Sequence, residues 1–329
     1  MKLHYPGAFL AALLRAQPMG FYSPRTLTAD ARRHGVLVRR PDIQLSGVFP
    51  LLEAIDASRP GPTGTGPCLE HDQPPVGGFD RAVPLDFAAH RRDAGHAVRL
   101  GLAGVTSIGE TLAGRIVAER EASGPYRDLA DLSRRVGLTV AQLEALAAAG
   151  AFEGFGLTPR QAIWEAGNAA QDRPEYLAGT AITVQPPLLP LLSPAEQLAS
   201  DLWATGISTD DHPIRFLRPA LAARGVRAAD TLATAESGRR IEVGGVVTHR
   251  QRPATAAGVT FLNLEDETGL VNVICPVGVW NRYRRVARQA PAMIVRGILE
   301  RSEEGVVNVL ADRLEPLDTA IRTTSRDFR

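Results

Sequence analysis

The spacing of apolar residues predicts a small helical unit at the start of the chain. Residues 7–17 carry apolar side chains at helical spacing, and the proline-containing segment 18–24 then interrupts them. We expect a second helix after this turn, capped by Ser23 or Thr28, and a short strand over 36–38. A unit of this size is too small to bury its own core comfortably, which favours a chain taken from a larger protein.

Helical spacing returns over residues 98–155, with two short breaks. It predicts two helix–turn–helix units in tandem, over 102–120 and 129–149. Thr139 and Gln142 have the spacing of a capping box, which fixes where the last helix begins. Gly150 is placed to end that helix.

The pattern changes to strict alternation from Arg240 onwards, which is typical of β-strands. Five strands are predicted, over 241–247, 259–264, 270–274, 293–299 and 306–310. A helical stretch, 279–288, falls between the third and the fourth. Five short strands in this arrangement predict a five-stranded OB-fold (oligonucleotide-binding) barrel, whose second and third strands usually form the binding face.

These patterns predict a multidomain α + β chain. Its parts are a helical unit over 1–56, a Pro/Gly-rich linker over 57–96, a tandem helix-hairpin-helix domain over 97–160, a helical connector over 161–238, an OB-fold domain over 239–317 and a C-terminal tail over 318–329.

Composition narrows the class of protein. The 329 residues are 44% hydrophobic and 22% charged, and no apolar run reaches the roughly 18 residues needed to span a bilayer. We therefore expect a cytoplasmic protein with no membrane partner. Only Cys68 and Cys275 are present, so neither a disulfide framework nor a four-cysteine zinc site can form, and we expect no metal site or cofactor in this chain.

The formal net charge of +1 hides a basic segment at the start. Residues 1–48 contain seven basic and two acidic residues, a local field that attracts phosphate. Two arginine pairs in this segment are candidate phosphate contacts: Arg32, Arg33, Arg39 and Arg40.

The turn before the helix at 110–120 is a candidate phosphate-binding hairpin, because backbone amides at a helix N-terminus bind anions. Its candidate residues are Thr106, Ser107, Ile108 and Gly109, and Gly137 marks the second hairpin. A hairpin of this kind usually has two glycines, and Ser107 stands where the first would be. The alternative is that both hairpins are purely structural.

On the predicted barrel, arginines and aromatic residues can combine phosphate attraction with base stacking, as single-strand-binding proteins do. The candidates are Arg250, Arg252, Phe261, Asn263, Trp280, Tyr283 and Arg284. Alternation puts Phe261 and Asn263 on the face opposite Leu262 and Leu264. For Trp280 and Tyr283, packing of their helix against the barrel is an equal alternative.

No catalytic site is recognisable in the sequence. Two-metal polymerase chemistry needs converging carboxylates, and no Asp-x-Asp occurs. The acidic run Glu265-Asp266-Glu267 lies between two predicted strands and ends in Gly269, so we interpret it as a β-turn. No phosphate-binding loop, nucleophile elbow or zinc-protease helix is present.

Several segments resemble bacterial C-family DNA polymerases, specifically the error-prone branch related to the replicative alpha subunit. They are residues 5–24 with their Gln-Pro-Met-Gly-Phe-Tyr run, 30–36, 97–102, 195–206 with His212-Pro213, 261–269 and the ending 325–329. The resemblance covers nearly the whole chain outside residues 57–95.

The resemblance implies a DNA-binding C-terminal part of a polymerase that acts in damage-induced mutagenesis and translesion synthesis. Residues 1–56 would be the end of the fingers, the hairpins would hold primer-template duplex, and the barrel would hold single-stranded template. The palm with its catalytic aspartates would precede residue 1, so this chain alone would be inactive, while the parent enzyme would use Mg²⁺. Accessory mutagenesis proteins and the sliding clamp are the implied partners. The alternative is a free-standing single-stranded-DNA-binding or adaptor protein.

Overall fold

A computed structural model describes residues 1–20, 22–56, 91–170, 189–302, 305–319 and 326–328. Most of the predicted linker, 57–90, lies outside these residues. The described chain forms two compact units. The first comprises residues 1–18, 27–191 and 203–209, and the second comprises 19–26, 192–202 and 210–329.

The elements follow one another in this order: α1 (Pro6–Arg15), α2 (Pro24–Arg33), β1 (Val38–Arg39), β2 (Leu51–Ala54), β3 (His96–Arg99), a 3₁₀ turn (Leu102–Gly104), α3 (Gly109–Ser123), α4 (Leu129–Val136), α5 (Val140–Ala148), a 3₁₀ turn (Glu153–Phe155), α6 (Pro159–Ala169), α7 (Pro194–Thr205) and α8 (Pro213–Ala223). There follow β4 (Val226–Arg227), two further 3₁₀ turns (Ala229–Ala233 and Ala254–Ala256) on either side of β5 (Arg240–Gln251), β6 (Thr260–Glu265), β7 (Leu270–Cys275), α9 (Val277–Arg282), α10 (Arg284–Gln289), β8 (Ala292–Arg301), β9 (Val307–Pro316) and β10 (Arg326–Phe328).

In the first unit, the predicted tandem hairpins are present and enclose a core of their own. Leu102, Ile116, Leu132, Leu143 and Leu146 are completely buried there. The helix α5 begins where the sequence places it, because the Thr139 hydroxyl accepts from the Gln142 amide and the Gln142 side chain accepts from the Thr139 amide. The same motif at Thr158 starts α6, which packs against α5.

The N-terminal segment of this unit forms helices as predicted, and it adds a small sheet that the sequence analysis does not anticipate. Strand β3 pairs in parallel with β1 and antiparallel with β2. The predicted strand at 36–38 is displaced to Val38–Arg39. The first residues of the segment predicted as helical, at 98–99, belong to β3.

The second unit contains the predicted barrel. Strands follow the order β5-β6-β7-β9-β8, and β8 returns to pair with β5, so the five strands close. The pairing of β7 with β9 is parallel, and the other pairings of the closed barrel are antiparallel. This is the five-stranded OB order, with α9 and α10 between the third and fourth strands.

Strand β5 pairs with both β6 and β8, and its backbone passes close to that of β6 at Gly245. A Cβ on Gly245 would lie 2.8 Å from the Glu265 carbonyl oxygen, so a side chain there would push β5 away from β6. Inside the barrel, alternate residues such as Leu262, Leu264 and Val273 are almost completely buried. The alternation of polar and apolar residues therefore translates directly into an inner and an outer face.

Candidate nucleic-acid interface

The first hairpin holds two left-handed residues around a buried anchor. Ser107 and Gly109 both have φ of +65°, and between them Ile108 is only 6% exposed and packs into the core of the hairpin domain. Serine rarely adopts this conformation, which glycine adopts without steric cost. Ser107 thus takes the conformation of the glycine whose place it occupies, and the hairpin geometry is kept.

The amides of this hairpin differ in whether they are already bonded. The Thr106 amide donates to the Ala204 carbonyl at 2.7 Å, its hydroxyl donates to the Trp203 carbonyl, and the Ile108 amide donates to Val105. Among the described residues, no acceptor receives a hydrogen bond from the amide of Ser107 or Gly109, and both residues are exposed. These two amides can therefore donate to an external phosphate oxygen.

The second hairpin is different, because its amides are occupied internally. The Gly137 amide donates to Ser133 at 2.7 Å, and the Thr139 amide donates to the Gln142 side chain at 2.9 Å. Gly137 has φ of +74° and ends α4 in the way glycine commonly ends helices. Its conformation accounts for the glycine without a ligand, which favours the structural interpretation of this hairpin.

The outer face of β5, β6, β7 and β9 carries two rows of side chains in register. One row is polar and runs across the strands as His249, Asn263, Asn272 and Asn308. The neighbouring row is mainly apolar and consists of Gln251, Phe261, Ile274 and Leu310. We call these eight residues the barrel face. Phe261 is 37% exposed, as the alternation predicts, and the Asn263 side-chain Nδ2 donates to Asn272 Oδ1 at 3.4 Å.

The barrel face has the chemistry to contact bases but carries no arginine or lysine charge to attract phosphates. Phenylalanine stacks on bases, and asparagine and glutamine side chains hydrogen-bond to base edges. None of its eight residues is an arginine or a lysine. Of these eight residues only Phe261 and Asn263 are candidates on sequence grounds, since the other six join them only through the strand register.

Arg250 and Arg252 have opposite environments, although the sequence analysis groups them. Arg250 is 6% exposed, and its guanidinium donates to the carbonyls of Ala287 at 2.7 Å and Ala290 at 2.5 Å. It therefore fixes the end of α10 to β5 and is not on the surface, which corrects its expected exposure. Arg252 is exposed.

The two helices between β7 and β8 also carry both half-buried and exposed candidate residues. Trp280 and Tyr283 are half-buried and pack against the barrel core, as the packing alternative anticipates. Arg284 is exposed, and so are three further arginines that the sequence analysis does not select: Arg282, Arg285 and Arg288.

The two arginine pairs near the N-terminus do not form the exposed basic patch suggested by their charge. Arg39 forms an ion pair with Glu53, whose other oxygen receives a hydrogen bond from Arg99. Arg40 lies against Gly150, and Arg32 and Arg33 are half-buried at the end of α2. Arg39 is thus already neutralised by a carboxylate.

The acidic run after β6 is a structural turn, as predicted. The Asp266 amide donates to Gly269, and one Asp266 carboxylate oxygen accepts from the amides of Thr268 and Gly269. The other oxygen accepts from Arg218 at 2.8 Å. Across the part of the chain that the structure describes, no group of three or more His, Cys, Asp or Glu side chains is arranged to hold a metal ion. No helix in that part is long and apolar enough to cross a membrane.

Comparison with known protein families supports the class of domain that the fold indicates. A family model described as "Helix-hairpin-helix motif" matches residues 35–162, which include both hairpins. Together with the closed five-stranded barrel, this match confirms the predicted multidomain α + β fold with helix-hairpin-helix and OB-type modules.

Over its full length the chain is also similar to error-prone DNA polymerases, which confirms the resemblance found in the sequence. It is 55% identical to that of Cutibacterium acnes, 48% to that of Mycolicibacterium paratuberculosis and 47% to that of Mycobacterium tuberculosis strain H37Rv. Each comparison covers 100% of this chain but only 29%, 26% and 26% of the respective relative. The chain therefore spans between a quarter and a third of the polymerases it matches.

The solved structures that are similar to this chain match only smaller parts of it. Asparaginyl-tRNA synthetase from Pyrococcus horikoshii is 24% identical over 24% of this chain and 20% of its own, with a TM-score of 0.21. The E. coli protein ygiW is 13% identical over 28% of this chain and 89% of its own, with a TM-score of 0.23. At such TM-scores neither structure bears on function.

Proposed function

We propose that this chain is a DNA-binding part of an error-prone DNA polymerase that acts in damage-induced mutagenesis and translesion synthesis in the cytoplasm. Nucleotidyl transfer, with its Mg²⁺ ions and palm aspartates, belongs in this proposal to a part of the polymerase outside these 329 residues. Similarity to named error-prone polymerases along the whole chain supports the assignment.

The observation that carries DNA binding is the barrel face. An exposed phenylalanine lies beside a row of asparagine side chains on the sheet of a closed OB-type barrel. Single-strand-binding barrels hold successive bases on exposed aromatic side chains in this way. In the first hairpin, the amides of Ser107 and Gly109 supply a second contact, directed at the phosphates of primer-template duplex. By resemblance, accessory mutagenesis proteins and the sliding clamp deliver the polymerase to its substrate.

The test is fluorescence anisotropy of the whole chain with single-stranded, duplex and primer-template DNA. We expect Phe261→Ala to weaken single-strand binding by roughly 5- to 150-fold, since stacking of one base on an aromatic residue contributes about 1–3 kcal/mol. Phe216→Ala is the matched control, because Phe216 on α8 is 39% exposed but lies outside the barrel face. Equal affinities of the two variants would exclude the barrel face as the binding surface.

A further inference from the structure

The two short helices between β7 and β8 carry an unusual concentration of positive charge. Residues 268–299 contain five arginines and no acidic residue. Four of these arginines lie on α9 and α10 with their side chains exposed: Arg282, Arg284, Arg285 and Arg288. We call these four the helix arginine cluster.

The cluster differs from many other arginines of the same unit, whose charges are paired with carboxylates. Many of the others form ion pairs with carboxylates, namely Arg215 with Asp211, Arg218 with Asp266, Arg224 with Glu242, Arg239 with Glu236, Arg240 and Arg296 with Asp312, and Arg313 with Glu315. Within the described part of the chain, no carboxylate pairs with any member of the cluster. Charge in this unit is thus balanced in many places but not here.

The geometry of α10 concentrates the uncompensated charge. Arg284 and Arg288 are four residues apart and therefore neighbours on the same helix face, where like charges repel. Together with Arg285 and Gln289 they line an open cleft of about 620 Å³. The Arg282 guanidinium lies 5.6 Å from the centre of the Tyr283 ring, at the junction between α9 and α10. A bound polyanion would remove the repulsion within this arrangement.

Phosphodiester is the anion that fits best, because the barrel face and the cluster have complementary chemistry. The barrel face can contact bases but has no arginine or lysine for the backbone. Arginine guanidinium groups bind phosphate oxygens in a bidentate manner. The two helices also lie next to strands that form the barrel face. Both α9 and α10 contact β9, which carries Asn308 and Leu310 of that face. Arg250 of β5 donates to the Ala287 carbonyl of α10.

We propose that the helix arginine cluster binds the phosphate backbone of a single DNA strand whose bases contact the barrel face. This inference rests on the proposed function, and it assigns a second, sequence-independent subsite to the barrel. The barrel face would contact bases, and the cluster would supply most of the salt-dependent part of the affinity.

The test is the salt dependence of single-strand binding by the whole chain. The variant carries Arg284→Gln, Arg285→Gln and Arg288→Gln, and binding to oligo-dT and oligo-dA is followed by anisotropy across a salt series. We expect the slope of log affinity against log salt to flatten by about 2, since each phosphate contact to single-stranded nucleic acid contributes about 0.7. Affinity should fall by the same factor on both oligonucleotides, because phosphates carry no sequence information.

Two controls separate a phosphate site from a general charge effect. The variant with Arg227→Gln, Arg239→Gln and Arg313→Gln removes three exposed arginines from the same unit and should leave the slope unchanged. The variant with Arg284→Lys, Arg285→Lys and Arg288→Lys keeps the charges and should retain most of the slope. Circular dichroism before and after the changes verifies that each variant is folded.

The outcomes distinguish this inference from the proposed function. If Phe261→Ala weakens binding while the triple glutamine variant keeps the wild-type slope, DNA binding stands and the cluster proposal is wrong. The cluster proposal is equally overturned if the control variant flattens the slope as much as the triple glutamine variant. If the unaltered chain binds no single strand at low salt, the proposed function fails and the cluster proposal fails with it.

Discussion

Two arginines only two positions apart show how strongly the environment of a single residue decides its role. Arg250 lies inside the second unit and donates to two carbonyls at the end of α10, whereas Arg252 is on the surface. Burying a guanidinium is costly unless its donors are satisfied, and here the carbonyls of Ala287 and Ala290 satisfy them. The same substitution should therefore destabilise the fold at Arg250 and have little effect at Arg252.

We expect Arg250→Gln to lower the free energy of unfolding by about 2–6 kcal/mol, because it removes the donor from two buried carbonyls and each costs about 1–3 kcal/mol when left without one. Arg252→Gln should change it by less than about 0.5 kcal/mol, as surface substitutions usually do. Denaturant unfolding of both variants measures the difference. Equal stabilities of the two variants would show that the hydrogen bonds of Arg250 contribute little.

The first hairpin is an element whose shape depends on the backbone of a serine. Left-handed conformation costs an ordinary residue about 1–2 kcal/mol, and a β-branched side chain is disfavoured further. The core contacts of Ile108 and the hydrogen bonds of Thr106 hold the turn in place despite this cost. The hairpin is therefore fixed by its anchors on either side of Ser107.

We expect Ser107→Gly to raise the free energy of unfolding by up to about 1 kcal/mol, since glycine removes the steric cost but loses more entropy on folding. Ser107→Val should lower it by about 1 kcal/mol or more, since non-glycine residues pay about 1–3 kcal/mol in this conformation and a β-branched side chain is disfavoured beyond serine. Thermal and denaturant unfolding measure both changes, and Thr111→Val, at an exposed helical position of α3, serves as the control. A valine variant as stable as the wild type would contradict the left-handed conformation of Ser107.

At the level of elements, most of the fold could be predicted from the pattern of side chains. Helix α5 begins directly after Thr139, as its capping box predicts, and all five barrel strands appear where alternation is strict. The small sheet of β1, β2 and β3 could not be predicted, because its strands are two to four residues long and too short to show a period. Of the candidate site, the exposure of Phe261 was predictable, but the asparagine row was not.

At the scale of the whole molecule, the ion pairs between arginines and carboxylates matter more for stability than the number of charged residues. In the first unit, a hydrogen bond from Arg99, with Arg39 adding to it, lowers the pKa of Glu53. Burial raises the pKa of Asp131, but hydrogen bonds from Arg127 and Arg135 outweigh it, so this pKa is lowered as well. Both carboxylates therefore stabilise the folded state only while they remain ionised.

This arrangement predicts that the chain loses stability in acid. A carboxylate whose pKa is lower in the folded chain stabilises it above the unfolded-state pKa, about 4, and this contribution disappears as pH falls through the folded-state pKa. The free energy of unfolding, measured between pH 7 and pH 3, should therefore fall below about pH 5. Glu53→Gln should make this dependence shallower, and Glu144→Gln, which removes an exposed carboxylate of α5, should not. An identical pH dependence in the two variants would contradict the role of Glu53.

Side-chain periodicity fixes the longer helices and the five barrel strands without any structure, because helical and strand periodicities are local properties of the chain. The sequence by itself also determines the hairpin positions, the capping box of α5 and the resemblance to error-prone polymerases. Tertiary structure alone decides which arginines are neutralised, since ion pairs such as Arg39 with Glu53 or Arg240 with Asp312 join residues distant in sequence. It also decides which side chains share the barrel face, because that depends on the register between strands and on the closure of β8 onto β5.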